Sequence, residues 1–68
     1  KGHILGMSDG DLIAWDGTNA VLLDASNGDE IIRVQLPGIA EMLMQGFDNG
    51  PIYTVTWDGR IARFSPRF

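Results

Sequence analysis

Five Asp-Gly or Asn-Gly pairs punctuate a chain of 68 residues: Asp9-Gly10, Asp16-Gly17, Asn27-Gly28, Asn49-Gly50 and Asp58-Gly59. Such pairs suit tight hairpin turns, because Gly tolerates positive φ and Asn or Asp adopts it at small cost. Between them lie runs rich in Ile, Val, Leu, Trp, Tyr and Thr. The pattern predicts an all-β chain of antiparallel hairpins, with strands over 3–7, 12–15, 20–24, 30–35, 39–45, 52–57 and 60–65. Residues 40–45 would also be acceptable in a helix. Pro37-Gly38 before them and Gly46 after them leave room for barely two turns, so a strand is expected, with Met42 and Met44 filling the core.

Two hairpins can be read residue by residue. A four-residue loop at 16–19 sets Trp15 opposite Ala20 and Ile13 opposite Leu22. The other surface then holds Leu12, Ala14, Val21 and Leu23, so both faces are apolar, as in a sheet covered on each side. A two-residue loop at Asp58-Gly59 would set Trp57 opposite Arg60, Val55 opposite Ala62 and Tyr53 opposite Phe64. Tyr53, Val55, Trp57, Ala62 and Phe64 are then expected on one buried face, and a slip of one residue would turn the aromatics outward.

A chain this short buries a small fraction of its surface and is stable by a few kcal/mol unless something else contributes. It has no cysteine, which excludes disulfide staples and thiolate metal sites. Its apolar runs fall far short of the roughly 20 residues a membrane-spanning helix needs. The opening Lys1-Gly2-His3 is expected to be a processed or excised beginning. Nine acidic residues against five basic ones give a net charge of −4, which disfavours a phosphate backbone as partner. Arg60, Arg63 and Arg67 stand close together and would suit an acidic partner.

Trp15-Asp16-Gly17 recurs as Trp57-Asp58-Gly59, 42 residues later. That period matches a four-stranded propeller blade, and about four candidate strands fall within it. Residues 22–31, Leu-Leu-Asp-Ala-Ser-Asn-Gly-Asp-Glu-Ile, resemble the turn between the outer strands of a blade. Residues 53–61, Tyr-Thr-Val-Thr-Trp-Asp-Gly-Arg-Ile, resemble the Thr–x–Asp–Gly hairpin between middle strands. The chain thus resembles the β-propeller repeat families, WD40-like or quinoprotein-like. The resemblance implies one unit of about one and a half blades, 11–52 and 53–68, in a larger polypeptide or assembly, since a closed propeller needs at least four. A small open barrel or sandwich is the alternative fold.

Chemistry-bearing residues are few. His3 is the only histidine, has no companion at metal-site spacing, and is expected to be a frayed end. Asp9, Asp11, Asp16 and Asp58 could pair as acid and base, but carboxylates beside glycine in turns ordinarily cap their own backbone. Asp9-Gly10-Asp11 lacks the later ligands of a calcium loop. Neither a catalytic group nor a cofactor is expected. Trp15 and Trp57 either fill the sheet core or stack on a sugar, with Asp16 and Asp58 accepting from its hydroxyl groups. The leading expectation is a non-enzymatic structural or protein-interaction module, whose partner is another copy or the remainder of a propeller-like chain. The rivals are a carbohydrate-binding module and a piece of a quinoprotein-like enzyme. Candidate contact residues are Trp15, Asp16, Trp57, Asp58, Arg60 and Arg63.

Overall fold

A computed structural model describes residues 2–65. Lys1, Pro66 and the Arg67 of the expected basic patch lie outside the described residues. Seven strands form: β1 (His3–Ser8), β2 (Asp11–Trp15), β3 (Asn19–Asp24), β4 (Glu30–Gln35), β5 (Ile39–Met44), β6 (Ile52–Thr56) and β7 (Ile61–Phe64). No helix occurs among the described residues. The ambiguous segment forms strand β5 over Ile39–Met44, as its flanking Pro and Gly predict, with Gln45 just beyond its end.

All five Asx-Gly pairs fall between consecutive strands, each at a hairpin connection. At the first, Asp9 and Gly10 both have positive φ, 52° and 86°, and Ser8 pairs with Asp11 across a two-residue loop. Two successive positive φ values match the right-handed twist of the flanking strands, which explains the Asp-Gly choice. The one connection without such a pair, Leu36-Pro37-Gly38, is where the chain leaves one sheet for the next.

The chain makes two open antiparallel sheets, β1-β2-β3-β4 and β5-β6-β7. In the first, Trp15 pairs with Ala20, Ile13 with Leu22, and Leu12 with Leu23, as read from the sequence. β4 continues the meander, with Ala20 opposite Val34 and Leu22 opposite Ile32. The two sheets pack face to face through Leu5, Ile13, Trp15, Ala20 and Leu22 on one side and Met42, Met44 and Ile52 on the other. Burying such side chains contributes roughly 1.5–3 kcal/mol each relative to exposure.

The last hairpin departs from its expected register. Thr54 pairs with Ala62, Tyr53 with Arg63 and Ile52 with Phe64, one residue away from the predicted alignment. Trp57 therefore leaves the strand and enters a three-residue loop with Asp58 and Gly59. The loop closes through the amide of Thr56 on the carbonyl of Arg60, 2.9 Å, and the amide of Gly59 on the carbonyl of Thr56, 3.0 Å. Gly59, at φ 88°, supplies the left-handed residue that ends such a loop. The slip exchanges the faces. Ile52 and Thr54 are buried, Tyr53 and Val55 are only half-buried, and Trp57 is exposed.

The sheets are joined at one edge as well as by packing. The amide of Met7 donates to the carbonyl of Phe47, 2.6 Å, and that of Asn49 to the carbonyl of Met7, 2.8 Å, around a parallel bridge between Met7 and Asp48. Gly6 sits against this crossing; a Cβ there would fall 2.5 Å from Met44 Sδ and closer still to the Phe47 carbonyl oxygen. His3 is the first residue of β1 rather than a frayed end, and its Nε2 lies 3.2 Å from the carbonyl oxygen of Met42.

Candidate interaction surface

The expected contact residues fall into two separate groups. Trp15 ends β2, is 2 % exposed and points into the core between the sheets. Its counterpart in the repeat, Trp57, is 72 % exposed in the β6–β7 loop. The sequence match is therefore not a structural equivalence: one Trp lies across from Ala20 in the sheet, while the other lies in the loop beyond the end of β6. Among the described residues, no hydrogen bond or ion pair joins the Trp15–Asp16 group to the Trp57–Asp58 group. A pair of equivalent stacking platforms for a sugar is not formed.

Asp16 organises its own loop. Its carboxylate accepts from the amides of Thr18, 2.9 Å, and Asn19, 2.6 Å, and from Asn19 Nδ2, 2.9 Å. Arg33, which the sequence did not single out, reaches it from β4: Nη1 lies 2.8 Å from Asp16 Oδ2 and Nη2 2.7 Å from Glu30 Oε1. The Asn19 side chain and amide, then Thr18 and Arg33, hold the Asp16 carboxyl well below the usual carboxylate range. Arg33 likewise lowers Glu30, and Glu30, then Asp16, raises Arg33. Asp24 is lowered by the hydroxyl and amide of Ser26. These carboxylates are committed to turn and ion-pair geometry, which for Asp16 is the role its position beside Gly17 suggested.

The second group is more open. Trp57 Nε1 donates to the carbonyl oxygen of Pro37 at 3.1 Å, tying the β6–β7 loop to the link between the sheets. Asp58 accepts from the Thr56 hydroxyl and lies 3.4 Å from Arg60 Nε. Arg60 donates its amide to Thr56 Oγ1 at 3.0 Å. Arg63, opposite Tyr53 on the outward face of β7, has no ion-pair partner among the described residues. No group of three or more His, Asp or Glu able to hold a metal occurs among the described residues. Nor is any helix there long and apolar enough to cross a membrane.

Two further features of the surface are apolar. An open cleft of about 300 Å³ separates the sheets away from their joined edge; Ile13, Ala20 and Val34 form one wall and Ile52, Thr54 and Phe64 the other. On the outward face of the second sheet, Leu43 is 62 % and Ile61 72 % exposed. Tyr53 lies beside Leu43 and Val55 beside Ile61, so the four side chains share one face. Sequence reading missed this face because its register placed Tyr53 and Val55 inward. Comparison with protein-family models, curated proteins and solved structures gives no match to this chain.

Proposed function

We propose that the chain is a non-enzymatic structural or protein-interaction module, about one and a half blade-like repeats of a larger propeller-like polypeptide or assembly. The observation that carries this reading is the outward face of the second sheet. Leu43, Tyr53, Val55 and Ile61 form an apolar strip between Glu41 and Arg63 on this face, although the opposite face of β5 and β6 is already packed through Met42, Met44 and Ile52. Exposed apolar side chains that are contiguous, rather than scattered singly, mark association surfaces. Repeat units behave this way because each supplies only part of a continuous core. On the outward face of the first sheet Leu12, Ala14 and Leu23 are half-buried, while Val21 between them is buried.

The test is sedimentation equilibrium across a wide concentration range, on the chain and on a Leu43→Asp/Ile61→Thr variant. The chain is expected to self-associate through this face and the variant to remain monomeric. A folded monomer that persists at micromolar dilution, unaltered by the substitutions, would overturn the reading and favour a small self-contained sandwich.

A further inference from the structure

β3 and β7 are the third strands of their sheets, and their inward residues fare differently. Ala20 and Leu22 on β3 are each 6 % exposed, whereas Ala62 is exposed and Phe64 is 53 % exposed. The two strands match at the 42-residue period, which aligns Ala20 with Ala62 and Leu22 with Phe64. What differs is the far edge. β4 lies along the far edge of β3, and no described strand lies along the edge of β7 away from β6. The cleft opens beside that edge, and Val34 on its opposite wall is also exposed.

We propose that β7 accepts an added antiparallel strand from a partner polypeptide, with an acidic residue opposite Arg63 and apolar residues opposite Ala62 and Phe64. The proposal rests on the association reading above but uses the far edge of β7, with Arg63 bordering both. An unpaired strand edge offers N–H and C=O groups that an extended segment satisfies, and alternate side-chain sites give specificity. The apolar positions follow from β4, which places Val34 opposite Ala20 and Ile32 opposite Leu22 on the cleft side. The acidic position follows from charge. Arg33 on β4 is held by Glu30 and Asp16, and Arg60 lies beside Asp58, but Arg63 has no such partner among the described residues. Opposite charges directly across a strand pair are favourable and like charges unfavourable.

The same residue argues against a second copy as occupant. The β3–β4 register transferred to β7 would set Arg33 of that copy across from Arg63. A two-fold pairing of β7 with itself that keeps Phe64 across from Ala62 would set Arg63 against its own copy.

The probes are two synthetic peptides that differ at one position, valine–glutamate–isoleucine or valine–arginine–isoleucine within the same threonine-rich frame. Binding is followed by amide chemical shifts of the full chain. The glutamate peptide is expected to bind about fivefold more tightly than the arginine peptide, with the largest shifts at Ala62, Arg63 and Phe64. Arg63→Glu should reverse the preference and Arg63→Gln should abolish it, and either exposed substitution serves if the other disturbs folding. Equal affinities, an unreversed preference, shifts away from β7, or no binding at millimolar peptide would overturn the proposal. Self-association that responds to Arg63 but not to Leu43→Asp/Ile61→Thr would also overturn it, in favour of a second copy at the edge. The face reading fails separately, through the oligomeric state of the Leu43→Asp/Ile61→Thr variant.

Discussion

The indole of Trp57 donates its N–H to the carbonyl of Pro37, 3.1 Å away, so a mostly exposed side chain holds the last hairpin loop to the link between the two sheets. The ring itself buries little, and its contribution is mainly this one bond. An exposed hydrogen bond of this kind is worth about 0.5–1.5 kcal/mol. Trp57→Phe and Trp57→Ala are each expected to lower stability by no more than about that amount in urea unfolding.

Trp15 is the contrasting case. It is buried between the sheets, and Trp15→Ala is expected to cost about 3–5 kcal/mol. That approaches the whole stability of a domain this small. Circular dichroism of the variant should show a chain largely unfolded at 25 °C. A Trp15→Ala protein with an unchanged melting curve would contradict the assignment of the core.

Gly6 is constrained by space rather than by backbone conformation. Its Cβ would meet Met44 Sδ at 2.5 Å and the Phe47 carbonyl oxygen closer still. Gly6→Ala must push the segment around Phe47 away from β1, at a cost of about 1–3 kcal/mol. Hydrogen exchange should locate the damage. The amides of Met7 and Asn49, which join the sheets, should lose protection while those of the β2–β3 pair keep theirs.

Acid should destabilise the fold through Asp16, Glu30 and Asp24, whose carboxyls are all held below their ordinary values in the folded state. A depressed folded value favours folding above the ordinary carboxylate range and loses that effect as pH falls below it. The loss is expected to begin near pH 4 and continue downward. Because the groups lie at the surface, salt should reduce it. Asp16→Asn should flatten the acid limb of a plot of melting temperature against pH. An unchanged acid limb in that variant would remove Asp16 from the account.

Turns were the most legible part of the fold, because an Asx-Gly pair encodes a backbone conformation locally. The register of the first hairpin was legible for a related reason: Ile13, Trp15, Ala20 and Leu22 face the core in the only pairing that closes the 16–19 loop as read. The last hairpin was not, since Ile52, Thr54, Ala62 and Phe64 form an alternation as regular as that of Tyr53, Val55 and Trp57. The deciding groups are polar. Thr56 Oγ1 donates to Asp58 and accepts from the Arg60 amide, which draws Trp57 into the loop and turns Thr54 inward. The Thr–x–Asp–Gly spelling of that loop was the available signal. Arg33 escaped notice because Asp16, seventeen residues before it, meets it only once β4 lies beside β3.

The meander has a kinetic consequence. Every pairing within the two sheets joins strands that are neighbours in sequence, so each hairpin can close on the roughly 1–10 μs scale of local β structure. The bridge from Met7 to Asp48 is different, because it requires both sheets to exist before it can form. Contacts of long sequence separation bear the larger entropy of loop closure and set the folding rate. Pulse-labelling exchange during refolding should therefore protect the hairpin amides first and those of Met7 and Asn49 last. The chain would then pass through a stage in which two half-formed sheets hang on the Leu36-Pro37-Gly38 link with their apolar faces open to any neighbour.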